Sequence, residues 1–75
     1  MKEVSKIGMG EKIAARREEL GLSQAELAER CFTTQAQIPR YETGMRFVRI
    51  DTLYRMAQVL ECTIDDLVCE AMPSM

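Results

Sequence analysis

Apolar residues return every three or four positions along most of the chain, in short bursts divided by stop-and-start signals. The cleanest burst is Leu53, Met56, Ala57 and Leu60, at i, i+3, i+4 and i+7, which marks an amphipathic helix over Ile50 to Leu60. A first helix is expected from about Met9 to Leu20, where Met9, Ile13 and Leu20 share a stripe and Gly21 supplies the stop. Ser23-Gln-Ala-Glu26 reads as a capping box, in which the Ser23 hydroxyl accepts from the Glu26 amide and the Glu26 carboxylate from the Ser23 amide. It opens a second helix that turns Leu27 and Ala28 inward and ends near Arg30 or Cys31. Thr34 can cap a third helix reaching about Thr43, with Gly44 as its stop. Thr63-Ile-Asp-Asp66 reads as a further box, opening a fifth helix through about Glu70, with Ile64, Leu67 and Val68 apolar, before Pro73 breaks the chain. No stretch keeps a period of two long enough to compete as a strand. The pattern predicts an all-α domain of five helices over residues 7–70, with short tails at 1–6 and 71–75.

Pro39 disturbs this regularity. In a helix capped at Thr34 it cannot donate to the Gln35 carbonyl, and its ring crowds that carbonyl and turns Ile38 from helical angles. In a helix interior the cost is about 3 kcal/mol. Counted from Thr34 only one ladder bond is lost, because the first four amides have no partner in any case. The expectation is a loosened or kinked first turn, with Pro39 to Thr43 regular.

Composition narrows the class. The 75 residues suffice for one small domain, 47% of them are hydrophobic, and the absence of tryptophan leaves an aliphatic core. A domain this small buries only about 60% of its unfolded surface, so it needs short loops or a partner. Three cysteines (Cys31, Cys62, Cys69) lack paired spacing, and the chain has no histidine. A disulfide framework, a metal site and a cofactor are therefore not expected, and the thiols read as buried groups in a reducing compartment. The apolar runs fall short of the ~18 residues of a membrane span, and the N-terminus has no signal-peptide pattern, which points to a soluble cytoplasmic protein. No metal-ligand cluster, glycine-rich phosphate loop or nucleophile–base arrangement suggests an enzyme, and no small-molecule ligand is evident.

The formal charge of −2 weighs mildly against nucleic-acid binding, but its distribution matters more. Between Arg30 and Arg55 stand five arginines against Glu42 and Asp51 only, whereas from Glu61 onward Glu61, Asp65, Asp66 and Glu70 face no base.

Two short helices joined by three or four residues outline a helix-turn-helix. At "LGLSQAELAERCFTTQAQIPRYETG" followed by "RIDTLYRMAQVLECTIDDLV", the chain resembles the Cro/C1-type (Xre-type) helix-turn-helix family, as in the DNA-binding domains of lambdoid phage repressors. The resemblance covers about residues 9 to 68. It rests on Arg17, Gly21 to Ala28, Thr33 to Gln35, Ile38, Glu42-x-Gly44 and the pattern of Leu53, Ala57, Leu60 and Leu67 in combination. It implies a lambda repressor-like fold and a sequence-specific transcriptional regulator of double-stranded DNA, with the helix starting near Thr34 in the major groove.

On that resemblance Thr34, Gln35, Ala36, Gln37 and Arg40 are the base-contacting positions. Glutamine can pair with adenine N6 and N7, and arginine with guanine O6 and N7. Gln24 matches a residue that bonds a phosphate and braces the first reading side chain, and the amides opening helix two favour a phosphate there. Arg17 and Glu42 match a structural salt bridge, with Arg17 also near a phosphate, and Arg46 and Arg49 are backbone clamps. Repressors of this type pair through the loop after helix three and the start of helix five. Here those positions are Phe47, Val48, Thr63, Ile64 and Asp65, so a homodimer is implied.

Three departures qualify the resemblance. Phe32 stands where the turn between helices two and three normally carries glycine, Glu61 replaces a usual glycine stop, and Pro39 enters the reading helix. In the loop "GMRFVR", Met45, Phe47 and Val48 fit either core closure or a self-association patch. These features, with the net acidity, favour an alternative: a protein-interaction, adaptor or antitoxin-like module that keeps the helix-turn-helix as scaffold. The chain shows no effector domain, so any switch is expected from dimerisation, a partner or regulated synthesis.

Overall fold

In the computed structural model, which describes residues 4–68, the chain enters its first helix earlier than the apolar stripe indicates. Helix α1 runs Lys6–Glu19, because the Ser5 hydroxyl accepts from the Gly8 amide at 3.0 Å and caps it three residues before Met9. Lys6 and Ile7 are exposed there and add nothing to the period. Next come α2 (Gln24–Arg30), α3 (Gln37–Glu42), α4 (Ile50–Val59) and α5 (Ile64–Leu67). Both boxes form as read: Ser23 with Glu26, and Thr63 with Asp66, each making its two reciprocal hydrogen bonds.

Two helices are shorter than the sequence suggests. Thr34 does not cap α3. The Gln37 amide donates to the Thr34 carbonyl and the Ile38 amide to Gln35, both at 3.1 Å and both spanning three residues, so 34–36 forms a tight turn ahead of the helix. Pro39 is thereby the third residue of α3, a position whose amide has no helical partner, and the proline costs the ladder nothing. The first turn is tightened rather than loosened. Helix α5 ends at Leu67, with Val68 extended and its carbonyl accepting from Lys12 Nζ at 3.2 Å. The proposed continuation to Glu70 lies outside the described residues, as do Cys69, Pro73 and the tail 71–75.

Helix α1 packs on α3 and α5, α2 on α3 and α4, and α4 on α5. The stripe of α4 is buried as read: Leu53, Met56, Ala57 and Leu60 join Ile13, Leu27, Ile38 and Leu67 in one aliphatic core. Each fully buried side chain of this size contributes about 1.5–3 kcal/mol. At the α1–α3 crossing a side chain on Gly10 would run into the carbonyls of Tyr41 and Glu42, so the glycine lets the two helices touch backbone to backbone. Among the described residues every buried side-chain nitrogen and oxygen has a hydrogen-bond partner. Cys31 is sealed in the core and burial pushes its thiol up to about 11, while Cys62, half-buried, is raised for the same reason.

The first four helices end alike. The residue after the cap is left-handed, at Gly21 (φ 71°), Phe32 (57°), Gly44 (79°) and Glu61 (57°). In each case its amide and the next one reach back to the closing carbonyls of the helix. Phe32 and Glu61 therefore hold the glycine geometry that the sequence pointed to, at the cost of carrying a Cβ there.

Candidate nucleic-acid interface

The segment from Ser23 to Gly44 is held as one unit by a carboxylate. Glu42, at the end of α3, accepts from Arg17 Nε at 2.7 Å and Nη2 at 3.2 Å and from Gln24 Nε2 at 3.0 Å. Arg17 Nη1 donates to the Leu22 carbonyl at 2.8 Å, which fixes the loop entering α2. With side-chain exposures of 13% and 7%, the Arg17–Glu42 pair is largely removed from water, and the hydrogen bond to Glu42 raises the guanidinium pKa above its ordinary value. One fork thus joins α1, the start of α2 and the end of α3.

The Arg17–Glu42 bridge that the resemblance implies is present. The Arg17 guanidinium donates to Glu42 and Leu22 and makes a longer contact to Glu18 at 3.6 Å. The Gln24 amide nitrogen also donates to the Glu42 carboxylate. At the start of α2, the Glu26 carboxylate is seated over the Ser23 amide, which holds its pKa below the usual range. The protein itself supplies part of the negative charge that a phosphate was expected to bring there.

With its far end pinned, α3 presents its near end to solvent. Thr34, Gln35, Ala36 and Arg40 are exposed and Gln37 is half-exposed, while Ile38 and Tyr41 on the opposite face are buried. None of the five expected reading positions is buried. Arg46 and Arg49 lie on the following loop, both exposed. Arg46 Nη1 reaches Gln37 Oε1 at 3.5 Å and Arg49 Nε lies 3.7 Å from Asp51, contacts that exchange readily with solvent or another anion.

The loop after α3 splits the apolar patch. Val48 is 8% exposed and belongs to the core, which removes it from the expected pairing surface, because its neighbour Phe47 turns the other way and stays 51% exposed. Lys6 Nζ sits 5.4 Å from the centroid of the Phe47 ring. Thr63 and Asp65 are exposed and Ile64 is half-buried at the start of α5. Ile50 and Tyr54, one turn apart on the outer face of α4, are exposed alongside them; both fall outside the four-residue apolar stripe and so carried no signal in the sequence.

A family model described as helix-turn-helix matches residues 13–67, well over half of the chain. The chain belongs to the helix-turn-helix family, in its Cro/C1-type branch. Among solved structures, the P22 c2 repressor, crystallised with a synthetic operator, is similar at 30% identity and a TM-score of 0.76, over 79% of this chain and 89% of that one. SinR, a master regulator for biofilm formation solved in complex with DNA, is similar at 27% identity and a TM-score of 0.74, over 79% of this chain and 95% of its own. The same helix-turn-helix also occurs within a longer chain: FeII HppE matches 95% of this protein with 38% of its length, at 26% identity and a TM-score of 0.82. The comparison with curated proteins gave no match.

Proposed function

We propose that this protein is a DNA-binding transcriptional regulator that reads duplex DNA through the edge opening at Thr34. The observation that carries the reading is the division of labour along α3: Glu42 is clamped by Arg17 and Gln24, while residues 34–36 and Arg40 stand free of the core. A reading element needs that combination, since side chains held on a rigid support lose less entropy on binding. Gln35 is suited to adenine and Arg40 to guanine in the major groove, with Thr34 and Ala36 against thymine methyls and Gln37 at the margin. Arg46 and Arg49 take the phosphates, and the charge lost to the acidic remainder of the chain is offset by their concentration on this side. P22 c2 repressor and SinR, both solved in complex with DNA, support the DNA-binding reading.

Two copies fit a palindromic site. Phe47, Ile50 and Tyr54 are exposed, Tyr54 lines a shallow surface hollow with Thr63, Ile64 and Asp65, and a two-fold contact through this face would set the two reading helices about 34 Å apart, one turn of DNA.

Selection of bound sequences from a random duplex pool, followed by titration with salt, tests the proposal. A palindromic consensus and an affinity falling steeply with salt are expected. Salt-insensitive or absent retention on duplex DNA overturns it and leaves a protein-interaction module on the same scaffold.

A further inference from the structure

The α2–α3 turn carries a side chain that the rest of the protein does not use. Phe32 is 82% exposed, the most exposed of the large apolar residues described, and its backbone is left-handed at φ 57°. A benzyl group placed in water on a strained backbone gains nothing for the fold, and glycine would satisfy the turn more cheaply. The turn is nonetheless rigid. Cys31 before it is sealed in the core, and the Thr33 amide after it donates to the Ala28 carbonyl at 3.0 Å. The side chain therefore leaves a fixed backbone and projects outward.

One group does reach it. The Arg55 guanidinium, projecting from α4, lies 5.2 Å from the ring centroid. Stacked in this way the arginine is orientated but not neutralised, and its donors remain available to an anion. Phe32 is two residues from Thr34, so the two Cα atoms are at most about 7 Å apart. Whatever approaches the edge at Thr34 and Gln35 comes within reach of an aromatic ring and a guanidinium acting together.

We infer that Phe32 and Arg55 form an additional DNA contact flanking the reading edge, the ring lying against the apolar part of a flanking nucleotide and the guanidinium against its phosphate. This rests on the DNA-binding reading above and extends it to a residue pair that the family pattern does not assign. The apolar partner is a thymine methyl or a deoxyribose. Both offer hydrocarbon at the groove wall, and the first would confer a base preference while the second would confer affinity alone.

The test uses the full chain and its selected duplex, with Phe32→Gly, Phe32→Asn and Arg55→Gln measured by fluorescence anisotropy across a salt series. Glycine and asparagine both tolerate the left-handed turn, so the two Phe32 variants should melt no earlier than the parent. Each is expected to bind the selected site at least fivefold more weakly, and Arg55→Gln to reduce the slope of log affinity against log salt by about one. Replacing a flanking thymine by uracil identifies the source. A loss in the parent that vanishes in Phe32→Gly indicates the methyl, and no loss indicates the sugar. Parent-like affinity in both Phe32 variants with an unchanged salt slope in Arg55→Gln overturns the inference while leaving the DNA reading intact. A parent that fails to bind duplex DNA overturns both.

Discussion

The turns at Phe32 and Glu61 have the same backbone and opposite surroundings. Each places a non-glycine residue at φ 57° after a helix, and each is closed by the same pair of amide bonds. These run from Phe32 to Glu29 and Thr33 to Ala28 in one, and from Glu61 to Gln58 and Cys62 to Ala57 in the other. The turn at Glu61 is braced from behind: Arg16 Nε donates to the Leu60 carbonyl at 2.8 Å and Nη2 to the Glu61 carbonyl at 3.3 Å, and Cys62 packs partly against the core. Among the described residues, the group recorded over the Phe32 ring is the Arg55 guanidinium. A left-handed L-residue costs about 1–2 kcal/mol in either place. At Glu61 the fold visibly offsets that cost, whereas at Phe32 it does not, and there the exposed side chain is the feature left to account for.

The largest expected effect comes from removing what anchors the reading side. Glu42→Ala leaves Arg17, only 13% exposed, without its carboxylate, and should cost about 3 kcal/mol in chemical denaturation. It should also separate the two turns. Amide hydrogen exchange at Thr33 should quicken to a local opening, because α3 has lost its tie to α1 and α2, while exchange at Cys62 continues to follow global unfolding. Equal acceleration at both sites would show that the clamp stabilises the whole domain without favouring its reading side.

Arg16→Ala is the converse experiment and should cost about 2 kcal/mol, the loss of charge-assisted hydrogen bonds to two carbonyls. The disturbance should be confined to the α4–α5 side, with faster alkylation of Cys62 and no change at the buried Cys31. Smaller again is the relief of strain at the turn itself. Glu61→Gly should raise stability by about 0.5–1 kcal/mol, the left-handed penalty less the extra freedom of glycine in the unfolded chain. Unlike Phe32→Gly, it should leave DNA affinity unchanged.

Much of this contrast can be read in the sequence, and the part that cannot has a common cause. Local rules found both capping boxes and the α4 stripe, because each depends on neighbours a few residues apart, whereas positions 32 and 61 stood out only against the glycines of the family pattern. The Arg17–Glu42 pair, 25 residues apart, came from the family resemblance and not from any local pattern. What was missed needs three dimensions. Gly10 reads as an unremarkable glycine until α3 is laid across α1, and the early start of α1 rests on a serine with no apolar period behind it. The direction of Phe47 against Val48 is decided by the loop path, which no periodicity encodes. In the reading segment the error was one of register. Thr34 has the chemistry of a cap, but Pro39 is accommodated at no cost only if the helix begins at Gln37.

The smallest expected effect compares the two boxes, one opening the helix before Phe32 and the other following Glu61. Backbone amides of Ser23 and Thr63 hold the carboxyls of Glu26 and Asp66 below their ordinary values of 4.5 and 3.8. A carboxyl whose pKa is lower in the folded chain stabilises fully above its unfolded value, and that contribution is lost as pH falls through the folded one. The denaturation midpoint should therefore be level from pH 7 to about 5 and fall below about 4. Glu26→Ala and Asp66→Ala, which remove the carboxylates that these amides hold, should each lower the midpoint at neutral pH and converge towards the parent at low pH, where its carboxyls no longer hold charge. The two boxes should differ in salt. Lys12 and Arg16 lie close enough to Asp66 to depress its pKa further, whereas Glu26 has only Arg30 on its own short helix. Raising the ionic strength should narrow the Asp66→Ala difference more than the Glu26→Ala difference, because the added attraction at Asp66 comes from cations that salt screens. Equal narrowing at both boxes would mean that α1 braces the α4–α5 turn by its hydrogen bonds alone.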